Sequence, residues 1–154
     1  MEKRAKFLFL LWALLTLVVI AFFFSFLNNQ LDKKQNYVQI GSLQINVELA
    51  DTQAKKEKGL SDRNSLCGQC GMLFVFDTPT IGQFYMRNMN FPLDIIWISD
   101  HRVVKIDANL PPAGNDPQIL YGSGQPIDYV LEINSGKSEQ YGINIGDKVV
   151  LGWK

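Results

Sequence analysis

The chain has 154 residues, 47% of them hydrophobic and 19% charged, which suits one ordinary globular domain with a short appendage and excludes a disordered or collagen-like chain. Fifteen Lys and Arg balance fifteen Asp and Glu. Beyond residue 27 acidic side chains slightly outnumber basic ones, so the chain offers no electrostatic footprint for nucleic acid.

Residues 7–27 carry no charge, and their polar side chains are the hydroxyls of Thr16 and Ser25. At about 1.5 Å per residue such a helix spans about 30 Å, the hydrocarbon thickness of a bilayer. Its backbone satisfies its own hydrogen bonds, so it can sit in lipid. A buried core helix would keep a polar face, and none exists here. A cleaved signal peptide would have a shorter apolar core and small residues before the cut. This run ends instead in FFFSFL, residues 22–27. The expectation is therefore an uncleaved anchor over 7–27, a cytoplasmic stub over 1–6 and a juxtamembrane linker over 28–37. Lys3, Arg4 and Lys6 precede the span, against Lys33 and Lys34 after it. That bias keeps the amino terminus cytoplasmic and places residues 38–154 outside the cell membrane as an extracytoplasmic domain.

Within that domain residues 37–49 alternate polar and apolar, which predicts two strands turned at Gly41-Ser42. Asp51 can cap a short helix over 52–58, stopped by Gly59. GMLFVF, residues 71–76, reads as a buried strand, and 84–89 as another. Residues 93–98 and 102–106 flank a hairpin turn at Ser99-Asp100-His101. Residues 109–126, dense in Pro, Gly and Asn, predict one long loop, functional or flexible. YVLEI, residues 129–133, returns to strand; 135–141 makes a helical turn or two, closed by Gly142; and 148–153 forms the last strand. Many short strands with two brief helices define an α+β, mostly β, compact barrel-like domain, preceded by the one transmembrane helix. No crossover helix is long enough to cover a parallel α/β sheet.

Several ordered blocks resemble the family called domain of unknown function 192. They are ELAD (48–51), KGL (58–60) with Arg63, GMLFVF (71–76), FYMRN (84–88), PLDI (92–95), YVLEINSG (129–136) and GINIGD (142–147). The resemblance covers nearly the whole domain and implies a compact strand-rich fold. It implies no established activity and no catalytic residue. The LCGQCG stretch, residues 66–71, departs from the family's pattern.

Cys67 and Cys70 are the only cysteines. Outside a membrane they favour a small-loop disulfide that stiffens its turn locally. Thiol–disulfide exchange would want a helix after the pair, where a strand is predicted. A zinc knuckle would want four ligands and has two. His101, the one histidine, fits a solvated turn beside Asp100. Arg87 and Asn88 stand among aromatic and Met residues. Either the guanidinium is a structural partner of Asp94 or Glu132, or Arg87 or Arg63 grips an anion while Tyr85 or Tyr121 stacks on the ligand. Asp94 and Glu132 could also form an acid/base pair. The candidate binding set is thus Arg63, Tyr85, Arg87, Asn88, Asp94, Tyr121 and Glu132, with no catalytic residue, metal or cofactor assigned. The expected function is a membrane-anchored ligand-binding or interaction module, meeting an unknown small ligand or envelope component. A thiol–disulfide oxidoreductase on Cys67/Cys70 and a carboxylate-dependent hydrolase are the competing classes.

Overall fold

The computed structural model describes residues 12, 14–25 and 35–153. They divide into two compact units, Met1–Lys34 and Gln35–Lys154. In the first, residues 14–25 are helical (α1), and large apolar side chains such as Leu17 and Phe22 are exposed around it. Among the described residues no helix is long and apolar enough to cross a membrane. The expected span over 7–27 includes residues 7–11, 13 and 26–27, which lie outside the described residues, as does most of the expected linker.

The second unit is a seven-stranded sheet with two short helices. In chain order it contains β1 (Tyr37–Ile40), β2 (Leu43–Ala50), α2 (Gln53–Lys58), β3 (Cys70–Phe84), β4 (Leu93–Ser99), β5 (Arg102–Leu110), β6 (Tyr121–Asn134), α3 (Lys137–Gln140) and β7 (Val149–Gly152). Strand order across the sheet is β5-β4-β6-β3-β2-β1-β7. The two outermost strands meet where Arg102 bridges Lys148, and Val103 N–H donates to the Asp147 carbonyl at 3.0 Å. That contact makes the sheet barrel-like, a geometry that protects its edges. All pairs are antiparallel except β2–β3, whose parallel connection runs through α2.

Period-two alternation sorts the side chains onto two faces. One core gathers Val38, Ile45, Leu73, Ile96, Leu131 and Ile133; the other gathers Met72, Phe74, Ile95, Trp97, Ile127 and Val130. Gly71 lets β3 approach β6 closely: a Cβ there would lie 2.8 Å from the Glu132 carbonyl oxygen.

Several local expectations change. Thr52 caps α2, its Oγ1 accepting from Lys55 N–H at 3.3 Å, while the Asp51 carboxylate accepts from Lys55 Nζ. Both are competent caps, but Thr52 has the N3 spacing that a cap requires. The strand expected at 71–76 extends to Phe84 as β3, interrupted where its register with β6 slips between Val75 and Thr80, and the separate strand expected over 84–89 does not form beyond Phe84. Pro79, which has no N–H for a ladder, falls in that slip. The expected long loop shrinks to residues 111–120, because Tyr121 and Gly122 pair with Phe84 and Gln83. The β4–β5 turn is a two-residue loop with Asp100 and His101 at φ 45° and 55°, the positive values that fit a right-twisted hairpin.

Candidate functional site

Met72, Phe74 and Phe76 alternate along β3 and so share one face of the sheet. Met72 pairs with Glu132 on β6, and Glu132 pairs with Ile95 on β4. A carboxyl group therefore stands in the middle of an apolar face. α2 and the turn after it lie over that face, and residues 83–89 form a further wall. Between them is a cavity of about 250 Å³, with Phe74, Phe84, Met86, Met89 and Leu60 along its apolar sides and Glu132 within. The exposed side chains of Gln53, Glu57, Lys58, Gln83 and Tyr85 mark its mouth.

Glu132 is 7% exposed and, among the described residues, has no hydrogen-bond or ion-pair partner. Its oxygens still touch open space, since no buried polar side-chain atom lacks a partner. Burial penalises the charged carboxylate and pushes its pKa up to about 8, so the group holds its proton at neutral pH. The surrounding rings are fixed by edge-to-face packing: Phe74 meets Phe84 at 4.8 Å, and Phe84 meets Trp97 at 5.5 Å. At the rim the Lys56 ammonium lies 4.9 Å over the Phe76 ring, and the Arg87 guanidinium lies 4.3 Å over the Tyr85 ring.

The other candidates take different places. Tyr121 borders a second cavity of about 300 Å³ under the loop 111–120, with Pro111, Pro117 and Ile119; Met86 borders both cavities. Arg63 makes a bidentate pair with Glu48, at 2.6 and 2.8 Å, which holds the Glu48 carboxyl below its ordinary range. Asn88, at φ 51°, joins loops through its backbone, donating to the Gly114 carbonyl and accepting from Asp62 N–H. Neither arginine pairs with Asp94 or Glu132.

Asp94 is fully buried and already saturated. Oδ1 accepts from the backbone N–H of Asn109 at 2.8 Å and of Gly136 at 3.0 Å. Oδ2 accepts from Ser138 N–H at 2.9 Å and Ser138 Oγ at 2.6 Å. Asp94 pairs with Ile133 while Glu132 pairs with Ile95, so the two carboxyls point to opposite faces of the sheet. They do not form an acid/base pair.

Cys67 and Cys70 are joined in a disulfide. Their turn is held on three sides: Asn134 Nδ2 donates to the Leu66 and Cys67 carbonyls, Tyr141 Oη to the Gly68 carbonyl, and Asn46 N–H to the Gln69 carbonyl. The bridge leads directly into β3. Among the described residues no group of three or more His, Cys, Asp or Glu side chains could hold a metal ion.

Of the expected set, Glu132 and Tyr85 border this cavity, whose further lining of Phe74, Phe84, Met86, Met89 and Lys56 lies outside that set. The alternation of Met72, Phe74 and Phe76 was the available signal.

These features define a small barrel-like α+β domain with an acid-bearing aromatic cavity on one sheet face. The chain belongs to the family domain of unknown function 192, described as an uncharacterized ACR, which matches residues 36–151. No curated protein matches it. A protein of unknown function from Novosphingobium aromaticivorans DSM 12444 has a solved structure that is 38% identical, covering 77% of this chain and 84% of that one, with a TM-score of 0.68. Another, a "putative transcription regulator" from Sinorhizobium meliloti 1021, is 29% identical over 76% of this chain and 92% of its own, with a TM-score of 0.69.

Proposed function

We propose that the domain is a small-molecule binding module, tethered to a membrane on its extracytoplasmic side, whose site is the cavity around Glu132. The observation that carries this reading is Glu132 itself. A carboxyl largely withdrawn from water with no protein partner carries a desolvation cost, and folds keep such groups where something else will meet them. The rings and thioethers beside it offer an apolar ligand a surface already fixed by packing. No nucleophile–base pair accompanies it among the described residues, so binding is favoured over chemistry.

Met89 borders the cavity and is buried, so Met89→Trp fills the space without adding charge. In a fragment screen by nitrogen-15 NMR on the full-length chain, binders are expected to shift the amides of residues 83–89 and 130–133. They should lose at least tenfold in affinity in Met89→Trp while the melting temperature stays near wild type. Should that variant unfold, Leu60→Phe narrows the same space from the α2 side. Binders that shift only other regions, or that ignore the filled cavity, overturn the reading.

The tether is supported by the uncharged run over 7–27 and by α1, whose apolar side chains face outward all round within the described residues. A role in transcription, suggested by the Sinorhizobium meliloti protein's description, finds no support in charge, since beyond residue 27 acidic residues outnumber basic ones.

A further inference from the structure

The cavity is small. At about 250 Å³ it falls just below the ~300–1,000 Å³ of sites that take drug-sized molecules, so its occupant has few atoms. Within that space the polar groups are unevenly matched. Glu132 lacks a partner, whereas the cations nearby are committed elsewhere. Lys58 pairs with Asp62, Lys56 lies over Phe76, and Arg87 lies over Tyr85. Glu57 accepts from Gln53 Nε2 at 2.8 Å. The strands flanking Glu132 contribute Met72 and Ile95, neither of them charged. Among the described residues no cation is hydrogen-bonded or ion-paired to Glu132, although the Lys56 and Lys58 ammonium groups border the same cavity.

The walls favour a cation as well. Aromatic faces attract cations through their quadrupole, most strongly where water is excluded. Two rim rings already hold the protein's own cations in this way, at 4.9 and 4.3 Å. Phe74 and Phe84, packed edge to face along the cavity wall, hold none among the described residues. The thioethers of Met86 and Met89 add polarisable, adaptable surface beside them.

We propose that the cavity takes a small organic ammonium ion, with its nitrogen against the Glu132 carboxylate and its carbon body against Phe74, Phe84, Met86 and Met89. The proposal rests on the reading of this cavity as the binding site. It has a proton consequence. The empty cavity holds Glu132 protonated at neutral pH, so an arriving ammonium displaces that proton to solvent as the ion pair forms. Binding of a permanent cation therefore strengthens as pH rises toward about 8 and levels off above it. The other titratable groups bordering the cavity are Lys56, Glu57, Lys58 and Tyr85.

The test is an NMR titration of the full-length chain in lipid nanodiscs with n-butylammonium, and separately with its neutral isostere n-butanol, at pH 6 and pH 8.5. Butylammonium is expected to bind at least tenfold more tightly at pH 8.5 than at pH 6, with butanol unchanged. Glu132→Gln should remove both that pH dependence and the preference for the cation. Equal affinities for cation and alcohol in wild type, with no pH dependence, overturn the ammonium proposal and leave the cavity as a site for neutral ligands. If neither probe shifts residues 83–89 or 130–133, the cavity reading falls as well.

Discussion

A carboxyl on a sheet face between Met72 and Ile95 is hydrated in the unfolded chain and largely, though not wholly, withdrawn from water in the folded one. Glu132 is therefore a pH-linked weak point in the empty domain. The sign follows from its raised pKa. Below the unfolded value, near 4.5, both states hold the proton and Glu132 is neutral to stability. From there up to about 8 the unfolded chain loses the proton while the native chain keeps it, so stability falls as pH rises. Integrated over that window, the loss is on the order of 5 kcal/mol as an upper bound. Glu132→Gln removes the titrating group at nearly the same volume. Its melting temperature should be nearly flat from pH 5 to pH 9, and at pH 9 it should exceed wild type by roughly 10 °C. A wild-type curve just as flat would show that the carboxyl reaches water and is not held protonated. Glu48 titrates in the opposite sense. Its pKa is lowered by Arg63, so its contribution is present above its unfolded value and is lost as pH falls. That pair is largely exposed and its effect correspondingly small.

At the scale of elements, α3 shows how one buried side chain holds a segment that cannot hold itself. Four residues make too short a helix to persist alone. Asp94 supplies what is missing, taking two backbone N–H groups and a hydroxyl from the 136–138 turn and a third N–H from Asn109 at the end of β5. Asp94→Asn would leave one oxygen and set an amide N–H₂ against donors. Losing charge-assisted bonds and stranding buried N–H groups should together cost about 3 kcal/mol or more. Urea unfolding should register that loss, and hydrogen exchange at Gly136 and Ser138 should quicken. Because Asp94 lies on the face opposite Glu132, ligand binding should survive in the folded fraction. An unchanged midpoint with unchanged exchange at those amides would refute the account. The same elements show which parts of the fold were legible in the sequence. Alternation and Gly41 were enough for β1 and β2, and Asp100-His101 for the β4–β5 hairpin. β3 was cut short because DTPT, residues 77–80, breaks the apolar pattern, although the strand continues through its register slip. The start of β6 was hidden in a Pro/Gly-rich stretch because its pairing partner, the far end of β3, lies distant in sequence. The candidate site was only partly legible for a related reason. Arg87 stands out for charge among aromatic and Met neighbours and Arg63 as a second possible anion grip, but both are satisfied nearby, by the Tyr85 ring and by Glu48. Glu132 acquires its character from α2 lying across the sheet, a tertiary arrangement that no local pattern encodes.

At the scale of the whole molecule, the uncharged run over 7–27 and the disulfide bear jointly on location. A helix that is apolar on every side has no face to present to water, and the described turns of α1 are of that kind. A Cys67–Cys70 bridge persists in an oxidising compartment and is rare in the cytosol. Each lends support to the proposed tether, and neither carries it alone. The full-length protein is expected to stay with membranes through alkaline carbonate extraction. Replacing both Leu17 and Ile20 with arginine adds roughly 5–7 kcal/mol to the cost of insertion, enough to move most of the chain into the soluble fraction. In intact cells quenched with acid, both cysteines of the wild type should resist alkylation until a reductant is added, while the double-arginine chain, retained in the cytosol, should alkylate freely. Carbonate release of the wild type together with free thiols would remove the tether and the compartment at once. Release with the bridge intact would separate them, pointing to an exported domain that membranes do not hold.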